Sequence, residues 1–139
     1  MNTQTKKIVV ASGYFNPIHV GHIEYLERAK ELGDKLVVIV NTDAQVKIKG
    51  SVPFQTEQDR LRIVQSLKVV DQAILSIDTD GSVCRSLVFL KPNIFAKGGD
   101  RHSGEIPEKV VCDAHGIAII DGLGAKIRSS SSIISAAIV

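Results

Sequence analysis

Apolar residues along this chain fall into short continuous runs that alternate with stretches in which they recur every three or four positions. Lys7 to Ser12 (KIVVAS) is β-branched and ends at Gly13, which predicts a first strand. After a loop to His19, Ile23, Leu26, Ala29 and Leu32 make one helical stripe between Gly21 and Leu32. Glu27, Arg28, Lys30 and Glu31 face the other way, and Gly33 supplies a left-handed stop. Lys35 to Val40 (KLVVIV) is apolar almost throughout, as in a parallel strand covered on both faces. The alternation then repeats. Thr56 with Asp59 resembles a capping box opening a helix to about Leu67, and Gln72 to Ile77 reads as a third strand. A helix from about Ser82 to Leu90 stops before Pro92, and Asn93 to Ala96 makes a fourth strand. Pro107 opens a helix that Gly116 closes before strand Ile117 to Ile120, and a last helix begins in the serines near position 130.

Five strands alternating with helices predict an α/β fold. Right-handed crossovers make it a Rossmann-like, doubly wound parallel sheet of order 3-2-1-4-5, with helices on both faces. Ligands of such sheets sit beyond the carboxyl ends of the strands where the winding reverses, here between strands one and four. Gly13 to His22 and Lys97 to Arg101 then face each other across that crevice.

The length, 139 residues, suits a single domain, residues 1–139, large enough to bury roughly two-thirds of its unfolded surface. Seventeen Lys plus Arg against fifteen Asp plus Glu leave a net charge of +2, too small to make nucleic acid the expected partner. Cys84 and Cys112 have neither the density of a disulfide scaffold nor the spacing of a zinc pair, which suits a reducing compartment. Met1 to Lys7 is polar, without the apolar stretch of a signal peptide. No apolar run approaches the roughly 18 residues of a membrane span, so the expected location is the cytoplasm.

The chemistry-bearing stretch is Gly13-Tyr14-Phe15-Asn16-Pro17-Ile18-His19-Val20-Gly21-His22. His19 and His22, three apart at the start of a helix, lie on one side of it. The helix N-terminus offers backbone N–H groups and partial positive charge, an arrangement for an anion such as phosphate. The same residues also read as a helix cap and a histidine packed on the sheet. No Gly-x-x-x-x-Gly-Lys is present, and Gly122-Leu123-Gly124 follows the wrong strand for dinucleotide binding.

This stretch resembles the His-x-Gly-His signature of the cytidylyltransferase-like nucleotidyltransferase superfamily, and the resemblance continues along nearly the whole chain. Leu32 to Val38 and Val40-Asn41-Thr42-Asp43 look like glycerol-3-phosphate cytidylyltransferases and the adenylyltransferase half of heptose-phosphate enzymes. Lys97-Gly98-Gly99-Asp100 is closer to the heptose enzymes, and Arg128-Ser129-Ser130-Ser131 stands in the place of a closing Ser-Thr-Thr type motif. The resemblance implies attack of a small substrate's phosphate on the α-phosphate of a nucleoside triphosphate, with release of pyrophosphate and Mg2+ spanning the triphosphate oxygens; it assigns no protein ligand to the metal.

On the same basis His19, His22, Lys49 and Arg128 are the expected catalytic residues. Gly13, Tyr14, Phe15, Lys47, Lys97, Gly98, Gly99, Asp100, Ser129, Ser130 and Ser131 are expected to bind the nucleotide, and Asp43, Arg60 and Asp71 the acceptor. Plain readings stand beside these: surface lysines for Lys47 and Lys49 in the loop after strand two, a surface helix position for Arg60, turn or cap residues for Asp43 and Asp71, a tight turn at Lys97 to Asp100, and an N-cap in the serines. Asn16 occupies a position where these cytidylyltransferases usually have Asp, and Phe-Asn-Pro resembles nicotinate mononucleotide adenylyltransferases instead. The expected reaction is cytidylyl transfer from CTP to a small phosphorylated alcohol or sugar, placed first on the stand-alone size; the alternative, favoured by the double glycine, is adenylyl transfer from ATP to a heptose phosphate or similar sugar phosphate. A homodimer is expected, as in relatives. A non-catalytic nucleotide-binding protein is the alternative of a different class.

Overall fold

The computed structural model of the chain describes residues 6–98 and 106–123. In chain order the elements are β1 (Ile8–Gly13), α1 (Val20–Lys30), β2 (Lys35–Val40), α2 (Asp43–Ile48), α3 (Glu57–Gln65), β3 (Gln72–Leu75), α4 (Cys84–Leu90), β4 (Ile94–Gly98), α5 (Glu108–His115) and β5 (Ala118–Leu123). The five strands form one parallel sheet in the order β3-β2-β1-β4-β5, as the alternation predicts.

Strand side chains alternate between faces, and both faces are covered. Val9, Ala11, Leu36, Val38 and Val40 pack with Tyr25, Leu26 and Ala29 of α1 and Val64 of α3. Val10, Val37, Ile39 and Phe95 point the other way, against Leu87 of α4 and Cys112 of α5. The near-continuous apolar runs of β1 and β2 are thus two alternating sets, each with its own helical layer.

Element ends differ from the pattern reading where side chains compete for backbone. A short helix, α2, occupies part of what reads as a loop after strand two. Thr42 accepts from Gln45 N–H at 3.2 Å while Gln45 Oε1 accepts from Thr42 N–H at 3.1 Å, a full capping box. Helix α4 starts at Cys84 rather than Ser82, because Val83 N–H is taken by Glu108 and buried Asp78 accepts from the N–H groups of Arg85 and Ser86. Strand β4 runs on to Gly98, with its register against β5 shifting between Ala96 and Gly98.

β1 pairs with β4 only from Val9 to Ala11, opposite Ile94 to Ala96. Where that ladder stops, buried Tyr25 reaches up from α1. Its hydroxyl accepts from Ser12 N–H at 3.2 Å and donates to the Ala96 carbonyl at 2.5 Å. Burial raises its pKa and so suppresses its ionisation, and it stays a donor. The phenol satisfies backbone groups that the diverging strands leave behind, and so holds the crevice open at a fixed width. Tyr25→Phe is expected to cost about 1–3 kcal/mol, the penalty of leaving those groups unpaired, read as a lower urea midpoint with unchanged m.

Candidate functional site

Over the carboxyl end of β1 the chain makes a tight loop into α1. Phe15 takes φ 51°, unusual for a side chain without a short polar group, and its ring is 1% exposed beneath the loop. Gly13 makes room for it, since a Cβ there would lie 2.9 Å from the Phe15 ring. The ring meets His22 edge-on at a centroid distance of 5.0 Å. The Phe15 ring is therefore the floor of the site rather than a side chain exposed to a ligand, and Gly13 serves that floor.

The two histidines close the first turn of α1 reciprocally. His19 Nδ1 accepts from Gly21 N–H at 3.0 Å, and His22 Nδ1 accepts from His19 N–H at 3.1 Å. The cap and phosphate-binding readings of this pair are therefore compatible. An Nδ1 that accepts leaves the proton of a neutral imidazole on Nε2. The rings lie 3.9 Å apart, tilted by 31°. Burial first, then the neighbouring charges of His19 and Lys49, lower the pKa of His22 from 6.5 to about 4. His22 is thus neutral at pH 7, a donor through Nε2 at a helix N-terminus with no acidic residue in its first turn.

Lys49 follows α2 and places its ammonium 4.2 Å above the Tyr14 ring. That brings a positive charge within reach of His22. Lys47 is an exposed α2 residue. Lys97 and Gly98 end β4, with Lys97 stacked toward Phe95 at 5.9 Å, one residue past the last β1–β4 pair. Gly99, Asp100, Arg128, Ser129, Ser130 and Ser131 lie outside the described residues.

Arg60 is the largest departure. The surface helix residue of the sequence reading is 1% exposed. Its Nε donates to the Gln55 carbonyl at 3.1 Å, Nη1 to the carbonyls of Tyr14 at 2.8 Å and Asn41 at 2.7 Å, and Nη2 to Asp43 Oδ1 at 2.7 Å. With every guanidinium nitrogen engaged, Arg60 does not take the acceptor, and Asp43 is its counter-ion. Asp71 lies at the opposite end of the sheet. It bonds Leu36 N–H, at the start of β2, and the Lys30 ammonium, which lowers its pKa, so no acceptor role is left to it.

Asn16 is a residue the motif reading underrated. Its Nδ2 donates to the Val52 carbonyl at 2.8 Å and its Oδ1 accepts from Phe54 N–H at 2.7 Å. The amide, unlike an Asp carboxylate, both donates and accepts, and it clamps Val52 and Phe54 to the loop that leads into the histidines. Among the described residues no three His, Cys, Asp or Glu side chains converge as a metal cage.

Two imidazole donors, a helix N-terminus and a lysine thus meet at the switch point of a parallel sheet. Residues 10–134 match the Cytidylyltransferase-like family. The chain belongs to the cytidylyltransferase-like family. Among its relatives, FAD synthase of Thermoplasma volcanium is 36% identical over 129 residues, covering 90% of this chain and 89% of that one. Bifunctional protein HldE of Blochmanniella pennsylvanica is 36% identical, and the match covers 94% of this chain but 28% of HldE. The crystal structure of a lipopolysaccharide core biosynthesis protein from Thermoplasma volcanium superposes with a TM-score of 0.75 at 34% identity, covering 84% of this chain and 96% of that one. As a member of this cytidylyltransferase-like family the protein is a nucleotidyltransferase.

The depressed pKa of His22 sets a pH dependence. Between pH 6.5 and about 4 the unfolded chain protonates this imidazole and the folded chain does not. The contribution is therefore complete above pH 6.5 and is lost as pH falls toward 4. Urea unfolding across that window is expected to show stability rising with pH more steeply in the wild type than in His22→Gln; equal slopes would place the imidazole in solvent.

Proposed function

We propose that the protein is an adenylyltransferase that joins AMP from ATP to the phosphate of a small acceptor, with riboflavin phosphate (FMN) as the first acceptor to test. The similarity to FAD synthase over 90% of this chain and 89% of the relative carries this reading. FAD is AMP joined through a phosphoanhydride to FMN, so its synthesis by nucleotidyl transfer requires an adenylyl donor. ATP thereby replaces CTP as the first donor. A sugar phosphate is the second acceptor, favoured by the likeness to HldE and to the lipopolysaccharide core protein.

In this reading an oxygen of the acceptor phosphate attacks the α-phosphorus of ATP. The bond from that phosphorus to its bridging oxygen breaks, and pyrophosphate leaves with the electron pair. No side chain of the protein is modified. The work is alignment and stabilisation of negative charge on phosphate oxygens. The Nε2–H groups of His19 and His22 donate to those oxygens, the first turn of α1 adds its N–H groups and partial charge, and Lys49 covers the triphosphate from α2. Because His22 is neutral, the two imidazoles can sit 3.9 Å apart without repelling each other. Magnesium, when bound to the triphosphate, would neutralise charge on the leaving pyrophosphate.

Calorimetric titration with magnesium present is expected to give at least tenfold tighter binding of ATP than of CTP. Pyrophosphate release is expected with ATP plus FMN, and His19→Ala should lower kcat about 100-fold or more, the scale for losing a transition-state donor. Release with ATP and a sugar phosphate, but not FMN, would select the second acceptor. Preference for CTP would overturn the adenylyl assignment.

A further inference from the structure

Residues 51–55, which bend at Phe54 and Gln55, are fixed at successive points, two of them to the loop that leads into the histidines. Ser51 N–H donates to the Val46 carbonyl at 3.1 Å, the Asn16 amide holds Val52 and Phe54, and Arg60 holds the Gln55 carbonyl. Burial alternates along this segment. Ser51, Pro53 and Gln55 are half-buried, while Val52 and Phe54 are each 67% exposed. Val52 and Phe54, whose backbone the Asn16 amide bridges, thus keep their side chains mostly in solvent on a segment tied down along its length. Val20 and Ile48, also exposed, are the chain neighbours of His19 and Lys49.

Phe54 is a large aromatic side chain left mostly exposed, and its backbone is held to the loop that leads into the phosphate site. Asn16, which fixes Phe54, is three residues from His19, at most roughly 10 Å of chain. That span suits an acceptor whose phosphate lies at the histidines while its far end rests on Phe54. A sugar phosphate offers hydroxyl groups and gains little from an apolar platform. A flat conjugated ring gains both apolar burial and stacking.

We propose that Phe54, with Val52, is the ring platform that selects a planar aromatic acceptor, the isoalloxazine of FMN, over a sugar phosphate. The proposal rests on the adenylyltransferase reading with a flavin acceptor, and it makes Phe54 a specificity residue. Because the segment is already fixed in the free protein, the ring binds without an ordering cost.

The test separates flavin binding from adenylyl transfer. Quenching of FMN fluorescence measures flavin affinity without turnover, and calorimetry measures ATP affinity on the same proteins. Phe54→Ala is expected to weaken FMN about tenfold or more and to raise KM for FMN similarly, with ATP affinity, kcat at saturating FMN and the urea midpoint unchanged. Phe54→Tyr should restore flavin binding, since aromatic stacking is what is lost. FMN binding and FAD formation that are indifferent to Phe54→Ala would overturn the platform and leave the flavin acceptor standing. AMP transfer to a sugar phosphate with no FMN quenching would overturn both platform and flavin acceptor, while the adenylyl reading survives. Absence of ATP binding with Phe54-dependent quenching intact would do the reverse.

Discussion

The site depends on one buried guanidinium. Arg60 gathers three backbone carbonyls and one carboxylate from segments far apart in sequence: Tyr14 after β1, Asn41 and Asp43 after β2, and Gln55 before α3. None of these carbonyls belongs to a strand or helix interior, so without the arginine the loops over the carboxyl ends of β1 and β2 would lose the contact that joins them. Removing a charge of this kind leaves its buried partners unsatisfied, a cost of several kcal/mol. The planar fork matters as much as the charge, because a lysine cannot serve four acceptors in three directions.

From that anchor the geometry passes to the chemistry. Tyr14 held by its carbonyl fixes the turn that drives Phe15 under the loop, and Phe15 supports the edge of His22. His22 then accepts from the backbone of His19, and burial keeps it neutral. Two charged imidazoles at this spacing would repel each other, whereas a neutral His22 can stand beside His19 as a second donor. The positive charge that a triphosphate requires comes from the end of α1 and from Lys49, neither of which must be buried to act.

Much of this was legible in the sequence. The strands announced themselves as apolar runs, and their alternation with helices gave the sheet order, because crossover rules leave few topologies. The histidine pair was legible for the same reason: a helix start after the first strand is where such a sheet presents its ligands. Helix α2 was overlooked although Thr42 and Gln45 carry its capping signature, because six residues offer too little periodicity. The burial of Arg60 had no local signal, since its helix shows ordinary polar spacing and its partners come from three other loops. Asp71 looked like a site residue only through motif likeness; its position before β3 puts it at the far end of the sheet. The tasks of Asn16 and Phe54 emerged only once residues 51–55 and the loop were side by side.

The most direct test is Arg60→Lys, which keeps the charge and removes the fork, followed by urea unfolding and ATP calorimetry on the same sample. If the guanidinium organises the site, stability and ATP affinity fall together, the latter about tenfold or more, before any acceptor is added. Stability and ATP affinity both at the wild-type level, with only the KM of the acceptor raised, would mean that Arg60 contacts the acceptor and would contradict the account.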